Sequence, residues 1–114
     1  MKTFHGIVQK GERRGATLGY KTANIKLDDP TVSGIYAARA HIEDTIYSAV
    51  VFIDEKRKLL ETHVLDFPGG DLYGKEIVVE LHERLRDIQK FEDDEKLKQQ
   101  IADDIVRVRK FFDA

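Results

Sequence analysis

The hydrophobic pattern changes period once along this chain, and that change sets what it can fold into. Up to about residue 83 the apolar residues come in short runs of strand character. Phe4-His5-Gly6-Ile7-Val8-Gln9-Lys10 alternates roughly, and Gly34-Ile35-Tyr36-Ala37-Ala38-Arg39-Ala40-His41-Ile42 does so better. Ile46-Tyr47-Ser48-Ala49-Val50-Val51-Phe52-Ile53 is rich in β-branched and aromatic residues. Glu43-Asp44-Thr45 reads as a hairpin loop between the last two. Further strands are expected at Leu60 to Asp66 and Glu76 to Glu83, separated by the turn chemistry of Pro68-Gly69-Gly70-Asp71. Then Leu97, Ile101, Ile105, Val108 and Phe112 recur at three- and four-residue spacing, with Lys96, Lys98, Gln99, Asp103, Asp104 and Arg107 on the other face. That is an amphipathic helix, with Asp93 as N-cap, Asp94 and Glu95 in its first turn, and Arg107, Arg109 and Lys110 near its C-terminal end. Five or more short strands without βαβ alternation bury themselves best as a small antiparallel barrel, with the helix over one opening or flank.

At 114 residues the chain is expected to form a single domain, 1–114, because two independent cores would not fit. Its 41% hydrophobic and 35% charged residues are those of an ordinary soluble protein, and no stretch approaches the roughly 18 apolar residues of a membrane span. Met1-Lys2-Thr3-Phe4-His5-Gly6 lacks a signal-peptide pattern, so a cytoplasmic location and no membrane partner are expected. Without cysteine, disulfides, thiolate nucleophiles and cysteine–zinc sites are excluded. Nineteen Lys and Arg against 21 Asp and Glu, mixed along the chain, argue against a nucleic-acid partner. A phosphate-bearing small molecule remains compatible, because backbone donors can hold it without a basic domain.

Gly11, Gly15 and Gly19 punctuate a polar stretch at intervals of four, with Arg13 and Arg14 between the first two. A Walker A loop is ruled out by the missing Lys-Ser/Thr ending and by the absence of a following helix. Two readings remain, a glycine-rich strand connection or a loop whose N–H groups close over phosphate oxygens, with Arg13 or Arg14 adding charge. Thr22 and Asn24, at i and i+2, share a face in an extended segment. A hydroxyl there offers oxygen to Mg²⁺ and an amide can bond phosphate, whereas a local turn would use both on their own backbone. Glu61 in a barrel mouth could accept the proton of an attacking alcohol, or stand on the surface beside Lys58. His63 shares its face, but His5, His41, His63 and His82 have no metal-site spacing, and structural hydrogen bonding is expected of each. Asp71-Leu72-Tyr73-Gly74-Lys75 reads as a turn with an aromatic anchor, and Phe91, Phe111 and Phe112 as core or helix-docking residues.

Taken together these segments resemble the riboflavin kinase family, including the kinase half of bacterial bifunctional FAD synthetases. The resemblance runs from Gly6 to about Arg109. It rests on Leu18-Gly19-Tyr20-Lys21-Thr22-Ala23-Asn24, Gly34-Ile35-Tyr36-Ala37, Glu61-Thr62-His63-Val64-Leu65-Asp66-Phe67, Asp71-Leu72-Tyr73-Gly74-Lys75 and Leu85-Arg86-Asp87-Ile88-Gln89-Lys90-Phe91. It implies a six-stranded antiparallel Greek-key barrel with a C-terminal helix. The implied reaction moves the γ-phosphate of ATP to the ribityl 5′-hydroxyl of riboflavin, with Mg²⁺, giving FMN and ADP. By similarity Thr22 would contact Mg²⁺ and phosphate, Asn24 would order the same site, and Glu61 would be the base. The loop holding Gly11, Arg13, Arg14, Gly15 and Gly19 and the stretch near Arg86 would fold over the ligands, and the helix would border the isoalloxazine.

The chain departs from the family pattern at Lys21, where proline is usual, at Ala16, where arginine is usual, and at Ile88, where glutamate is usual. A short charged turn, Asp54-Glu55-Lys56-Arg57-Lys58, replaces the customary glycine-and-proline segment. No nucleotidyltransferase segment precedes Gly6, so conversion of FMN to FAD is not expected, and a monomer is. The competing functions are a non-catalytic flavin- or nucleotide-binding barrel and a barrel that binds single-stranded nucleic acid, the latter disfavoured by charge.

Overall fold

The structure, a computed structural model, describes residues 1–9 and 22–113. Its six strands are β1 (Lys2–Ile7), β2 (Thr22–Lys26), β3 (Ile35–Ile42), β4 (Thr45–Asp54), β5 (Leu59–Val64) and β6 (Glu76–Arg86). One helix, α1 (Asp94–Asp113), follows them. All pairings are antiparallel, in the order β1-β6-β3-β4-β5-β2. Consecutive strands β3, β4 and β5 lie side by side and β6 returns beside β3, which is the Greek-key arrangement. The sheet curls until its edges meet at a seam, where the Gln9 N–H donates to the Asn24 carbonyl at 2.8 Å. Gly6 lets the edges approach there, since a Cβ at this position would lie 3.3 Å from that of Ile25.

Period-two alternation sorts the strands into two faces. Ala23, Ile25, Ala38, Ala40, Val51, Ile53, Leu60 and Val79 fill the barrel interior. On the outside, Ile35, Ala37, Val50 and Leu65 form a second apolar cluster with Val108 of α1, and Ile105 and Phe112 pack against it. The helix therefore covers a flank of the barrel. Each large aliphatic side chain buried in this way contributes about 1.5–3 kcal/mol, so both layers matter. This double covering explains why Val50-Val51-Phe52-Ile53 reads as an unbroken apolar run: inner and outer positions of β4 are both shielded.

Several boundaries move from those expected. β6 extends to Arg86 because β3 follows it through two register shifts, at Ile35/Tyr36 and Ala37/Ala38. β1 spans Lys2–Ile7, and Thr22–Lys26 is a full strand. The hairpin between β3 and β4 is tighter than three residues, since Ile42 pairs with Thr45 across Glu43 and Asp44. The helix starts as its sequence indicates, with Asp93 Oδ1 accepting from the Lys96 N–H at 2.8 Å. One helical residue is corrected: Asp104 is not on the solvated face but wholly buried, because it sits three residues from Ile101 and four from Val108.

Candidate active site

The β2–β5 ladder sets the centre of the site. Thr22 pairs with His63 and Asn24 with Glu61, so in an antiparallel register all four side chains leave the same face. Leu60, Thr62 and Val64 take the inner positions of β5, which puts Glu61 and His63 on the outer wall. Glu61 thus stands on the side of the barrel rather than at its mouth. Asn24 is 4% exposed, Thr22 is half-buried, and the Glu61 side chain keeps 28% of its surface. His63 Nε2 lies 3.2 Å from Glu61 Oε1, and its ring rests on Phe52 with centroids 4.5 Å apart. The glutamate's close partner is this buried imidazole; Lys58 instead closes the charged β4–β5 turn with φ of 55°.

Glu61 opens into a cleft of about 600 Å³. Ile35 and Phe52 line it from the sheet, Ile88 and Phe91 from the segment 87–93 that joins β6 to α1, and Arg86 lies at the junction. Asp54, Glu55 and Glu61 also line it, so apolar side chains and carboxylates together suit a ring carrying a polar tail. A smaller hollow of about 300 Å³, lined by Leu27, Pro30, Val32 and Lys58, shares Ile53 and Glu55 with the cleft and so adjoins it.

The segment 87–93 is held at its root by arginines. Arg86 grips the Asp104 carboxylate with both prongs, Nε to Oδ1 at 3.0 Å and Nη2 to Oδ2 at 2.7 Å, while Nη1 donates to the Asp87 carbonyl at 3.0 Å. Gln100 Nε2 completes the shell of Asp104 at 3.2 Å. Arg84 donates to the Ser33 carbonyl at 2.9 Å and pairs with Asp87, a hydrogen bond that raises the arginine's pKa. Gly34 makes room for both. Its φ is +92°, and a Cβ there would stand 2.6 Å from the Arg86 carbonyl oxygen and 2.7 Å from Arg84 Nη2.

Of the residues singled out in the sequence, Thr22, Asn24 and Glu61 come together on one face, and Arg86 lines the cleft beside them with its guanidinium committed to Asp104. Gly11, Arg13, Arg14, Gly15 and Gly19, with Ala16 and Lys21, lie outside the described residues. Asp71-Leu72-Tyr73-Gly74-Lys75 forms a turn, with Asp71 Oδ1 accepting from the Tyr73 N–H at 2.9 Å, but its anchor is Leu72, 2% exposed, rather than Tyr73, 37% exposed. That turn fastens β1, since Val8 exchanges backbone bonds with Gly74 and Lys75. Asp66 accepts both prongs of Arg109 at 2.8 and 3.0 Å, tying the end of β5 to α1. This hydrogen bond is the main cause of the lowered pKa of Asp66. His41 and His82 flank Glu80 at 3.2 and 3.3 Å, and their proximity, that of His41 foremost, lowers its pKa. The sequence reading missed Phe52 and Asp104 as site-forming residues. The unbroken apolar run of β4 and the position of Asp104 on the Ile101–Val108 stripe were the signals.

A curled six-stranded Greek-key sheet with a flank helix carries a hydroxyl, an amide and a carboxylate on one outer face, residue types that phosphoryl transfer can use. Comparison with known proteins identifies the family: the flavokinase (riboflavin kinase) family profile matches residues 2–112, and the chain belongs to the riboflavin kinase family. The bifunctional riboflavin kinase/FMN adenylyltransferase of Bacillus subtilis is 32% identical over 119 residues, covering 94% of this chain and 37% of the relative. Among solved structures, a protein described as a macrolide-efflux protein from Streptococcus pneumoniae superposes with a TM-score of 0.81 at 30% identity, over 94% of this chain and 38% of that one. Riboflavin kinase from Trypanosoma brucei shares the fold with a TM-score of 0.74 at 20% identity, over 97% of this chain and 76% of that one. The chain spans less than half the length of the curated relatives it matches. No described helix is long and apolar enough to cross a membrane.

Proposed function

We propose that this chain transfers the γ-phosphoryl group of ATP to the 5′-hydroxyl of the ribityl chain of riboflavin, giving FMN and ADP. The observation that carries the proposal is the adjacency of the Asn24–Glu61 and Thr22–His63 pairs on one outer face, beside a cleft with apolar walls. Riboflavin would place its ring between Phe52 and the segment bearing Ile88 and Phe91, with the ribityl tail running toward Glu61. Glu61 accepts the proton of the 5′-hydroxyl as its oxygen attacks phosphorus, and the bond to the β–γ bridging oxygen breaks to release ADP. His63, within hydrogen-bonding distance of one carboxylate oxygen, holds that carboxylate in place.

Thr22 and Asn24 suit a magnesium nucleotide, because Mg²⁺ takes few protein oxygens and fills its remaining positions with phosphates and water. Bound there with ATP, Mg²⁺ would neutralise charge on the phosphates. The polar segment containing Gly11, Arg13, Arg14, Gly15 and Gly19 supplies the donors to those phosphates, and the hollow lined by Leu27, Pro30 and Val32 accepts the nucleotide base. The protein acts in the cytoplasm, as a monomer.

Incubation of the protein with riboflavin and Mg-ATP, followed by chromatography for FMN, tests the reading. FMN should accumulate with ADP in equal amounts. Flavin binding without FMN formation, with ATP, CTP or another donor, would leave only a binding module.

A further inference from the structure

The one carboxylate buried completely among the described acidic residues is Asp104, and it belongs to a helix that contributes no reacting group to the mechanism above. A buried charge is costly unless paired and hydrogen-bonded. Here both oxygens are taken up by Arg86, with Gln100 as a third donor, in a fork geometry that fixes direction as well as distance. Arg86 is the last residue of β6, its side chain is 16% exposed, and it lines the cleft that Glu61 opens into. Its remaining bond, from Nη1 to the Asp87 carbonyl, fixes the first peptide of the segment 87–93. The other end of the segment is fixed where Asp93 caps α1. Between these two points the chain has no strand or helix pairing of its own, yet Ile88 and Phe91 line the same cleft as Phe52. Arg84 also holds Asp87 at this root, but only Arg86 links it to α1, so the width of the cleft depends in part on how α1 holds Arg86.

We infer that Asp104 is a positioning residue: through Arg86 it sets the separation between the 87–93 segment and the β4–β5 wall, and so governs affinity for the flavin ring rather than for the nucleotide. This rests on the flavin occupying the cleft, as in the proposed function. A pair that only stabilised the fold would loosen both substrate sites together or neither, whereas a clamp on one wall acts on the ligand that wall touches.

The double variant Arg86→Met/Asp104→Leu removes both charges while keeping volume, so no buried ion is left unpartnered. It should fold, by circular dichroism and thermal melting, with KM for riboflavin raised about tenfold, KM for ATP changed less than twofold, and kcat lowered less than threefold. Arg86→Lys keeps the charge but loses the fork, and should raise the riboflavin KM by an intermediate factor of roughly three. A folded double variant with the wild-type riboflavin KM overturns the inference, as does a parallel rise in both KM values. Should the double variant not fold, Arg86→Lys decides: folded and with unchanged riboflavin KM, it overturns the inference equally. Riboflavin fluorescence titrations without nucleotide separate this from the kinase reading. A wild type that binds flavin but makes no FMN removes the kinase assignment, and the clamp is then judged by the same tenfold criterion on Kd. A wild type that does not bind flavin overturns both.

Discussion

The two walls of the cleft are built by different means. The sheet wall, with Phe52 and Glu61, is part of a ladder in which β4 and β5 pair from Ala49–Val64 to Asp54–Leu59, and its reverse side is packed by Leu60 and Ile53 in the barrel interior. The opposite wall, with Ile88 and Phe91, is a loop that borrows its position from side-chain clamps at its two ends. Chemistry that depends on placement to within about half an ångström belongs on the first kind of wall, and ligand entry on the second. The candidate base is on the ladder. The residues proposed to border the flavin ring on the far side are on the loop.

If that division holds, the largest effect comes from altering the ladder wall without disturbing its packing. Glu61→Gln should lower kcat by roughly 10²–10⁴ while the melting temperature and flavin Kd stay close to wild type, measured by steady-state kinetics and fluorescence titration. Full activity in this variant would remove Glu61 from the mechanism. Next is the support behind it: Leu60→Ala, fully buried on the inner side of β5, should cost about 2–5 kcal/mol in urea unfolding. A cost near zero would mean that the ladder wall is not held by the interior.

Gly34→Ala attacks the root of the loop wall. With φ at +92° and the Arg86 carbonyl in the way, it should cost about 1–3 kcal/mol and also weaken flavin binding, a pairing that Leu60→Ala tests by contrast. The smallest effect is expected for Arg109→Ala, which releases the exposed pair between α1 and Asp66. Because the folded-state pKa of Asp66 is lowered from its ordinary 3.8, the pair's contribution is present above that value and is lost as pH falls through the lower folded value. The difference in urea midpoint between wild type and Arg109→Ala should therefore shrink below pH 4, and in high salt at neutral pH. A difference that persists in acid would assign Arg109 a role other than this ion pair.

The hydrophobic period made the strands and helix legible, because a barrel interior and a flank helix each impose their own spacing on the chain. Thr22, Asn24 and Glu61 stand out in the sequence by residue type and spacing, and their pairing on one face follows from a register that sequence does not display. That register also decides outer wall against mouth, and it puts Glu61 on the outer wall. Asp104 was hidden by its polarity: residue type put it on the solvated face, while position on the stripe put it inside, and only a partner 18 residues earlier reconciles the two. Phe91 reads as a core or helix-docking aromatic and Phe52 as one strand residue among many, and only the folded chain brings both to one cleft.

The central claim is that the outer face of the β2–β5 ladder moves a phosphoryl group onto the flavin's ribityl alcohol. ATP labelled in its γ-phosphate, mixed with the protein, Mg²⁺ and either riboflavin or a flavin lacking the ribityl chain, tests it most directly. The account predicts that label enters FMN, one for each ADP formed, and that the chain-less flavin receives none. Label released only as inorganic phosphate, at the same rate with either flavin, would contradict it.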